Sequence, residues 1–449
     1  MPAHDPDAQS SGLQDLRMER PALDRLLVRT TPRVARILDA ALSGADITAE
    51  DAEVLLGAAG ADLTATVAAA DYLREKTVGD VVTYVVNRNI NFTNVCIKGC
   101  GFCAFSRDYR EEEGYFLPEE EILRRVQEAW DLGATEVCIQ AGLPPKMEGD
   151  LYIRLTRLIK ETVPGIHIHG FSPEEVLYGS VRSGWTIRAY LSALEEAGVG
   201  SLPGTAAEIL DDELRDRISP GRIRTSQWIE VITTAHELGI PTTSTMMFGH
   251  AETQGQQARH LVLLRDLQRR SGGFTEFVPL SFVHTEAPMW RKGLVEGLRP
   301  GPTGMEVVRV HAVSRIVLNR DIPNLQVSWV KEGPRLSQLL LNAGANDLGG
   351  TLINESISTS AGAGFGQFIP PKALRHLIRD AGRIPAERST TYGIRRIFDG
   401  DGDETLDALD QAAADGTRRF GSYHELVKMD KFRYRHPNRS GQPAANPSR

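Results

Sequence analysis

Three cysteines fall within eight residues of the segment NINFTNVCIKGCGFCAFSRD, residues 89–108: Cys96, Cys100 and Cys103. Thiolates this close on a glycine-containing loop can wrap one face of an iron–sulfur cubane. Each cysteine supplies one ligand, so three of them hold three irons of a 4Fe–4S cluster and leave the fourth iron open to an outside ligand. A structural zinc site wants four donors, usually with a second pair downstream, and a ferredoxin-type carrier wants a fourth cysteine. The remaining cysteine, Cys138, stands alone in the apolar run TEVCIQAG. It reads as a packed strand residue, the usual fate of an isolated thiol.

A cluster loop must be carried by a scaffold. From residue 80 onward, short β-branched runs alternate with amphipathic stretches, the pattern of repeated βα units on a parallel sheet. Eight strands are predicted at 82–92, 135–142, 166–171, 199–204, 241–249, 275–282, 325–329 and 345–351, with helices such as 118–133 and 226–239 between them. Eight units predict an α/β fold, a (β/α)8 TIM-type barrel with an N-terminal helical extension; a partial six-unit barrel is the runner-up. The cysteines then follow the first strand, at the C-terminal mouth where barrels place their chemistry. Apolar residues spaced at three and four over 21–79 predict short helices, with Thr48 as an N-cap. The boundaries expected are a disordered N-terminus over 1–12, the helical extension over 13–79, the barrel over 80–400, a helical segment over 401–429 and a disordered basic tail over 430–449.

The chain has 449 residues, 41% hydrophobic and 24% charged, which is an ordinary globular composition. Lys and Arg total 51 against 59 Asp and Glu, a formal net charge of −8. That balance lacks the basic footprint of a nucleic-acid binder. The start, MPAHDPDAQSSG, has no apolar targeting core, and no uncharged apolar run of membrane-spanning length occurs. Clustered rather than dispersed cysteines point to a reducing, cytoplasmic setting.

Cys-x3-Cys-x-aromatic-Cys after the first barrel strand resembles the radical S-adenosylmethionine (SAM) superfamily. The resemblance narrows through NFTNVC, GFCAFSRD, GYFLPEEEI, CIQAGLPPKMEGDLY, HIHGFSPEEVLYG, GSLPGTAAEIL, TTSTMMFGHAET, FVPLSFVHTEAP and GANDLGGTLINESISTSAGAG, in that order over roughly 80–400. Together they are similar to the CofH-type family, the tyrosine-using subunit of FO synthase in the deazaflavin (coenzyme F420) pathway. One cluster motif is present, as in the stand-alone form. The resemblance implies a 4Fe–4S cluster whose open iron is chelated by the amino and carboxylate groups of SAM. It implies that L-tyrosine is broken at its Cα–Cβ bond and its 4-hydroxybenzyl group joined to 5-amino-6-(D-ribitylamino)uracil, with 2-iminoacetate released. A CofG-type radical partner would then close the deazaflavin ring. The alternatives are an aminofutalosine-type radical enzyme of menaquinone synthesis and a non-catalytic Fe–S module.

The same resemblance assigns cofactor contacts. Phe102 matches the position whose backbone lies near the adenine. Gln140-Ala141-Gly142 stands where the superfamily often has Gly-Gly-Glu, so Gln140 and Gly142 are expected by the methionine end. Glu208, after the fourth strand, matches a SAM-contacting glutamate, and Met247 and Gly249 leave the fifth strand in the adenine region. Substrate contacts are expected from polar residues at the mouth: His169, the outer of two histidines on one strand face, His250, His284, Asn346, Asp347 and Glu355. The run Gly362-Ala363-Gly364-Phe365-Gly366 does not fit a dinucleotide fingerprint and reads as part of a cover over the mouth.

Overall fold

The computed structural model describes residues 20–400, 406–412 and 419–436. Eight parallel segments form a ring. The first runs through β1 (Val81–Val85) and β2 (Asn87–Ile90), followed by β3 (Glu136–Ile139) and β4 (His167–His169). A bridge from His169 to Ser201 adds a fourth segment, which bridges through Leu202 to β5 (Thr242–Phe248); β5 pairs with β6 (Phe274–Ser281). Phe277 bridges to Leu325, Gln326 bridges to Asp347, and β7 (Asp347–Gly350) returns to β1. The order is that of the predicted (β/α)8 barrel, and the ring passes the point where a six-unit barrel would stop. The fourth and seventh segments are reduced to single-residue bridges.

Register explains the composition of the strands. Asn87, Glu136 and His167 are paired neighbours, as are Asn89, Cys138 and His169. Side chains alternate with period two, so these residues form two stacked polar layers on the inner face. Val137, Ile139 and Ile168 point the other way and are fully buried. They meet the surrounding helices, among them Glu119–Asp131, Leu151–Thr162 and Pro173–Ser183.

A hairpin of β8 (Ile384–Arg388) and β9 (Ile394–Ile397) pairs with the start of β1. It sends Arg388 into the barrel, where Nε donates to Asp347 at 2.5 Å. Tyr392 donates to Glu276, and Gln326 reaches the same carboxylate at 2.8 Å. This floor closes the barrel at the N-terminal ends of its strands.

Four helices, Arg20–Leu27, Pro32–Leu42, Ala49–Leu56 and Gly60–Val78, precede β1. The last packs on the helix Gly304–Leu318. Thr48 caps its helix as predicted, in a reciprocal box with Asp51. No single helix among the described residues is long and apolar enough to cross a membrane.

The disorder expected over 1–12 lies outside the described residues, as do 437–449 of the tail. Residues 430–436 depart from that expectation. Phe116 N–H donates to Phe432 O and Tyr434 N–H to Gly114 O, both at 2.8 Å, and Tyr115 bridges to Arg433. Composition suggested a solvated tail, but Phe432 is buried and backbone pairing fixes the segment beside the cluster loop. Of the helical segment expected over 401–429, the described parts include helices Ala408–Ala412 and Tyr423–Leu426.

Candidate active site

The loop after β2 is tied on four sides. Cys96 N–H donates to Arg107 O (3.0 Å), Ile97 N–H to Leu143 O (2.9 Å), Gly101 N–H to Ile218 O (2.9 Å), and Met289 N–H to Gly101 O (2.7 Å). Two glycines permit this closeness. A Cβ at Gly142 would sit 2.3 Å from Val95 O, and one at Gly101 would sit 2.9 Å from Met289 Cβ. The loop opens on a cavity of about 360 Å3 at the barrel mouth, lined by all three of its cysteines.

The cysteine end carries two cations and two carboxylates in one network. The Arg222 guanidinium lies 5.3 Å from the Phe102 ring centre and donates to Glu208 at 2.8 Å. Glu174 takes the other side of Arg222 (3.3 Å), accepts from Ile223 N–H (2.8 Å) and pairs with Lys98 at 3.2 Å. Burial pushes the Cys100 thiol up to about 12, against the pull of Arg222. Burial likewise raises Cys96. Burial opposes the charge on Arg222, but Cys100, Glu208 and Glu174 outweigh it and hold the guanidinium firmly protonated. Ala206 and Glu208 adopt left-handed backbone (φ 64° and 45°), as do Leu352 and Asn354 across the mouth (φ 52° and 64°). Strain of this kind concentrates where loops are held for function.

Glu175 is buried under the second strand's end. Its carboxylate accepts from Ala141 N–H (2.9 Å), Ser172 N–H (2.8 Å) and Ser172 Oγ (2.5 Å). Burial raises it to about 7 in spite of those bonds. Gln140 is fully engaged: Oε1 accepts from Thr205 (3.0 Å), Nε2 approaches Cys138 Sγ (3.4 Å), and its carbonyl accepts from Asn91 (2.8 Å).

Of the residues singled out in the sequence, Cys96, Cys100, Cys103, Phe102, Gln140, Gly142, Glu208, Met247 and Glu355 line this one cavity. Six others do not. Gly249 is pressed against Pro302, 2.3 Å from where its Cβ would lie, so its glycine serves chain crossing rather than a ligand. His250 is fully buried, its Nε2 bound to Met247 O (3.0 Å) and its Nδ1 3.2 Å from Glu252 without a hydrogen bond. His169 is bound through Nδ1 to Ser201 Oγ at 2.7 Å and is pushed down to about 4 by burial. His284 packs edge-on against Trp290 on the outer loop. Asn346 and Asp347 begin β7 instead of ending it. They serve the far end of the barrel, bound by Arg315 (2.8 Å) and Arg388. All six are polar or glycine residues at strand ends, where structural turns and ligand sites use the same residue types. Sequence reasoning missed Lys98, Glu174, Glu175, Arg222 and Lys331, which also line the cavity. The Ser172–Glu175 capping box was legible as a helix start; Arg222 and Lys331 carried no motif.

The donor set fits a cluster better than a single ion. Tetrahedral zinc draws thiolates to about 3.8 Å of one another. Among the described residues no three His, Cys, Asp or Glu side chains are gathered to hold one ion. Yet Cys96, Cys100 and Cys103 all line one cavity from a single loop, as ligands to separate irons of one cubane would. Cys138 interacts instead with Glu136, Gln140, Glu175 and Glu355.

The barrel and this thiol triad define the radical SAM class, and residues 90–263 match the Radical SAM superfamily. Residues 271–400 match the CofH/MqnC C-terminal region. The chain is 48% identical over 360 residues to the 5-amino-6-(D-ribitylamino)uracil–L-tyrosine 4-hydroxyphenyl transferase of Methanothermobacter thermautotrophicus, covering 80% of this chain and 97% of that one. With the Methanocaldococcus jannaschii protein of the same name it shares 49% over 328 residues, 72% and 90% of the two chains. It is 48% identical over 347 residues to the FO synthase of Streptomyces avermitilis, covering 77% of this chain but 40% of that one. The chain therefore belongs to the CofH-type family of 5-amino-6-(D-ribitylamino)uracil–L-tyrosine 4-hydroxyphenyl transferases. In fold it is similar to the hydrogenase maturase HydG (TM-score 0.63, 16% identity, 89% of this chain and 84% of that one) and to methylornithine synthase PylB (0.56, 18%, 86% and 95%).

Proposed function

We propose that this chain is a radical SAM transferase that breaks the Cα–Cβ bond of L-tyrosine and joins the 4-hydroxybenzyl group to 5-amino-6-(D-ribitylamino)uracil in deazaflavin synthesis. The observation that carries the reading is the near full-length identity to proteins named for this reaction. The C-terminal match alone does not separate CofH-type from menaquinone-type enzymes, because its description covers both. A 4Fe–4S cluster with bound SAM supplies, on one-electron reduction, a carbon radical able to abstract hydrogen from substrate.

The chain's own residues do the rest. Cys96, Cys100 and Cys103 are the cluster ligands in this reading. Arg222 and Lys98, held by Glu208 and Glu174, would offer N–H donors to the SAM carboxylate. Glu175 fixes the Ala141 amide and so the strand end, Gln140–Gly142, which would hold the methionine end of SAM. Phe102 and Met247 offer apolar surface for the adenine. Leu143, Leu280, Phe282 and Val330 make the wall apolar, which excludes water and stray hydrogen donors while reactants are held about 3–3.5 Å apart. A CofG-type radical enzyme would take the adduct onward. Four free thiols suit a reducing cytoplasm.

The test is anaerobic. Reconstituted, reduced protein receives SAM, L-tyrosine and the diaminouracil, and products are followed by mass spectrometry. A hydroxybenzyl–uracil adduct with 5′-deoxyadenosine is expected. Deoxyadenosine without the adduct overturns the substrates; neither product, with a full cluster present, overturns the radical reading.

A further inference from the structure

The cavity has a second cationic point, away from the cysteines. Lys331 sits on the short turn Trp329–Glu332, before the backbone breaks at Gly333 (φ 75°, ψ 157°) and Pro334. It lines the cavity, and its ammonium makes no hydrogen bond or ion pair among the described residues. The charges acting on it are Glu355, Glu332 and Glu208. Arg222, by contrast, is already paired with Glu174 (3.3 Å) and Glu208 (2.8 Å).

Glu355 enters the same cavity from the segment after β7. Its Oε1 accepts from Ser358 N–H at 2.8 Å, while its Oε2 is buried without a hydrogen-bond partner. Asn89 Oδ1, also on the cavity wall, is buried and unpaired as well. Buried polar groups are normally paired, so such orphans ask for a ligand donor. Burial lowers Lys331 and raises Glu355 from their usual values. Each charge is unfavourable alone and is stabilised by an opposite charge brought into the cavity.

One unpaired ammonium and two unpaired oxygens on the wall of one cavity are the complement of an α-amino-acid main chain. The reaction proposed above brings two such main chains into one cavity. That of SAM would be held at the cysteine end, where Arg222 and Lys98 lie. We infer that Lys331 and Glu355 hold the main-chain zwitterion of the amino-acid substrate, Lys331 taking the α-carboxylate and Glu355, with Asn89, the α-ammonium. The identity of that substrate as tyrosine rests on the proposed function; the cradle rests on the geometry.

The test is equilibrium dialysis of reconstituted, SAM-loaded, unreduced protein, in which nothing turns over. The ligands are L-tyrosine, tyramine (no carboxylate), 3-(4-hydroxyphenyl)propionate (no ammonium) and L-phenylalanine. Wild type should hold L-tyrosine at least about tenfold more tightly than tyramine or the propionate, the scale of one charge-assisted hydrogen bond. Lys331→Met should lose about tenfold for L-tyrosine with tyramine little changed, and Lys331→Arg should retain binding. Glu355→Gln should lose tyrosine affinity with the propionate little changed. Iron content and visible absorbance equal to wild type mark an intact site. Lys331→Met binding L-tyrosine within about twofold of wild type, or losing tyramine equally, overturns the cradle and leaves the tyrosine reading standing. If wild type holds L-phenylalanine but not L-tyrosine, and Lys331→Met loses it, the cradle stands and the tyrosine reading falls. No amino-acid binding by wild type overturns both.

Discussion

A cluster needs thiols gathered on one loop: Cys96, Cys100 and Cys103 share the loop after β2, whereas Cys138 reaches the same cavity alone from β3, beside Gln140 Nε2 at 3.4 Å. Replacing any of the three by Ala should abolish the reconstituted cluster, read as iron and sulfide per chain and as visible absorbance. Cys138→Ala should leave both unchanged; cluster loss in that variant would mean the ligand set is wrong. Glu175 offers a second test at this scale. Its carboxyl is raised to about 7 in the folded chain by burial, against about 4.3 in an unfolded one. A raised acid contributes its full share below the unfolded value and loses it as pH climbs through the folded value. The loss is on the order of 3 kcal/mol, complete above about pH 8. The thermal midpoint of wild type should therefore fall relative to Glu175→Gln as pH rises from 5 to 8. A constant gap would contradict the assignment. The cysteines were legible because three thiols in eight residues have few other uses. His250 and Asp347 were misread because a polar residue at a strand end looks alike whether it caps a turn, closes a floor or faces a ligand. Arg222 and Lys331 were invisible because only the folded chain brings their loops to the cavity.

The elements explain how those residues meet. Eight short runs announced the strands, and the polar layers Asn87–Glu136–His167 and Asn89–Cys138–His169 explain why the runs alternate: the barrel lumen is polar and its outer face apolar. What sequence does not carry is pairing. The fourth and seventh segments touch their neighbours through single residues, and the segment 430–436 binds 114–116 through backbone groups that no side-chain pattern announces. The segment after β7 lines the cavity through Leu352, Glu355, Ile357, Ser358 and Ala361. It is held to the opposite loop, where Glu286 N–H donates to Ala361 O at 3.2 Å. This is the geometry of a cover, and covers keep reactive intermediates from water. Deleting 360–367 should therefore raise the ratio of 5′-deoxyadenosine to adduct several-fold while leaving the cluster in place. An unchanged ratio would show that the segment covers nothing.

At the scale of the whole molecule, the barrel is closed below by ions and open above to one cavity, so every functional residue must reach that mouth. The floor of Asp347, Arg388, Glu276 and Tyr392 fills the lumen at the end opposite the mouth. Of the four N-terminal helices, Ala49–Leu56 and Gly60–Val78 pack on the outer layer against Gly304–Leu318. One mouth with cationic groups at two separate points suits one cofactor and one amino acid bound together, with the pyrimidine acceptor beside them. The central claim is then a statement about one carbon–carbon bond. It is tested most directly by running the reaction with tyrosine labelled with 13C at Cβ or at Cα and following the label by mass spectrometry. The account predicts that Cβ label appears in the uracil adduct, and that Cα label appears only in the two-carbon fragment derived from 2-iminoacetate. Both labels in the adduct, or neither, would contradict it.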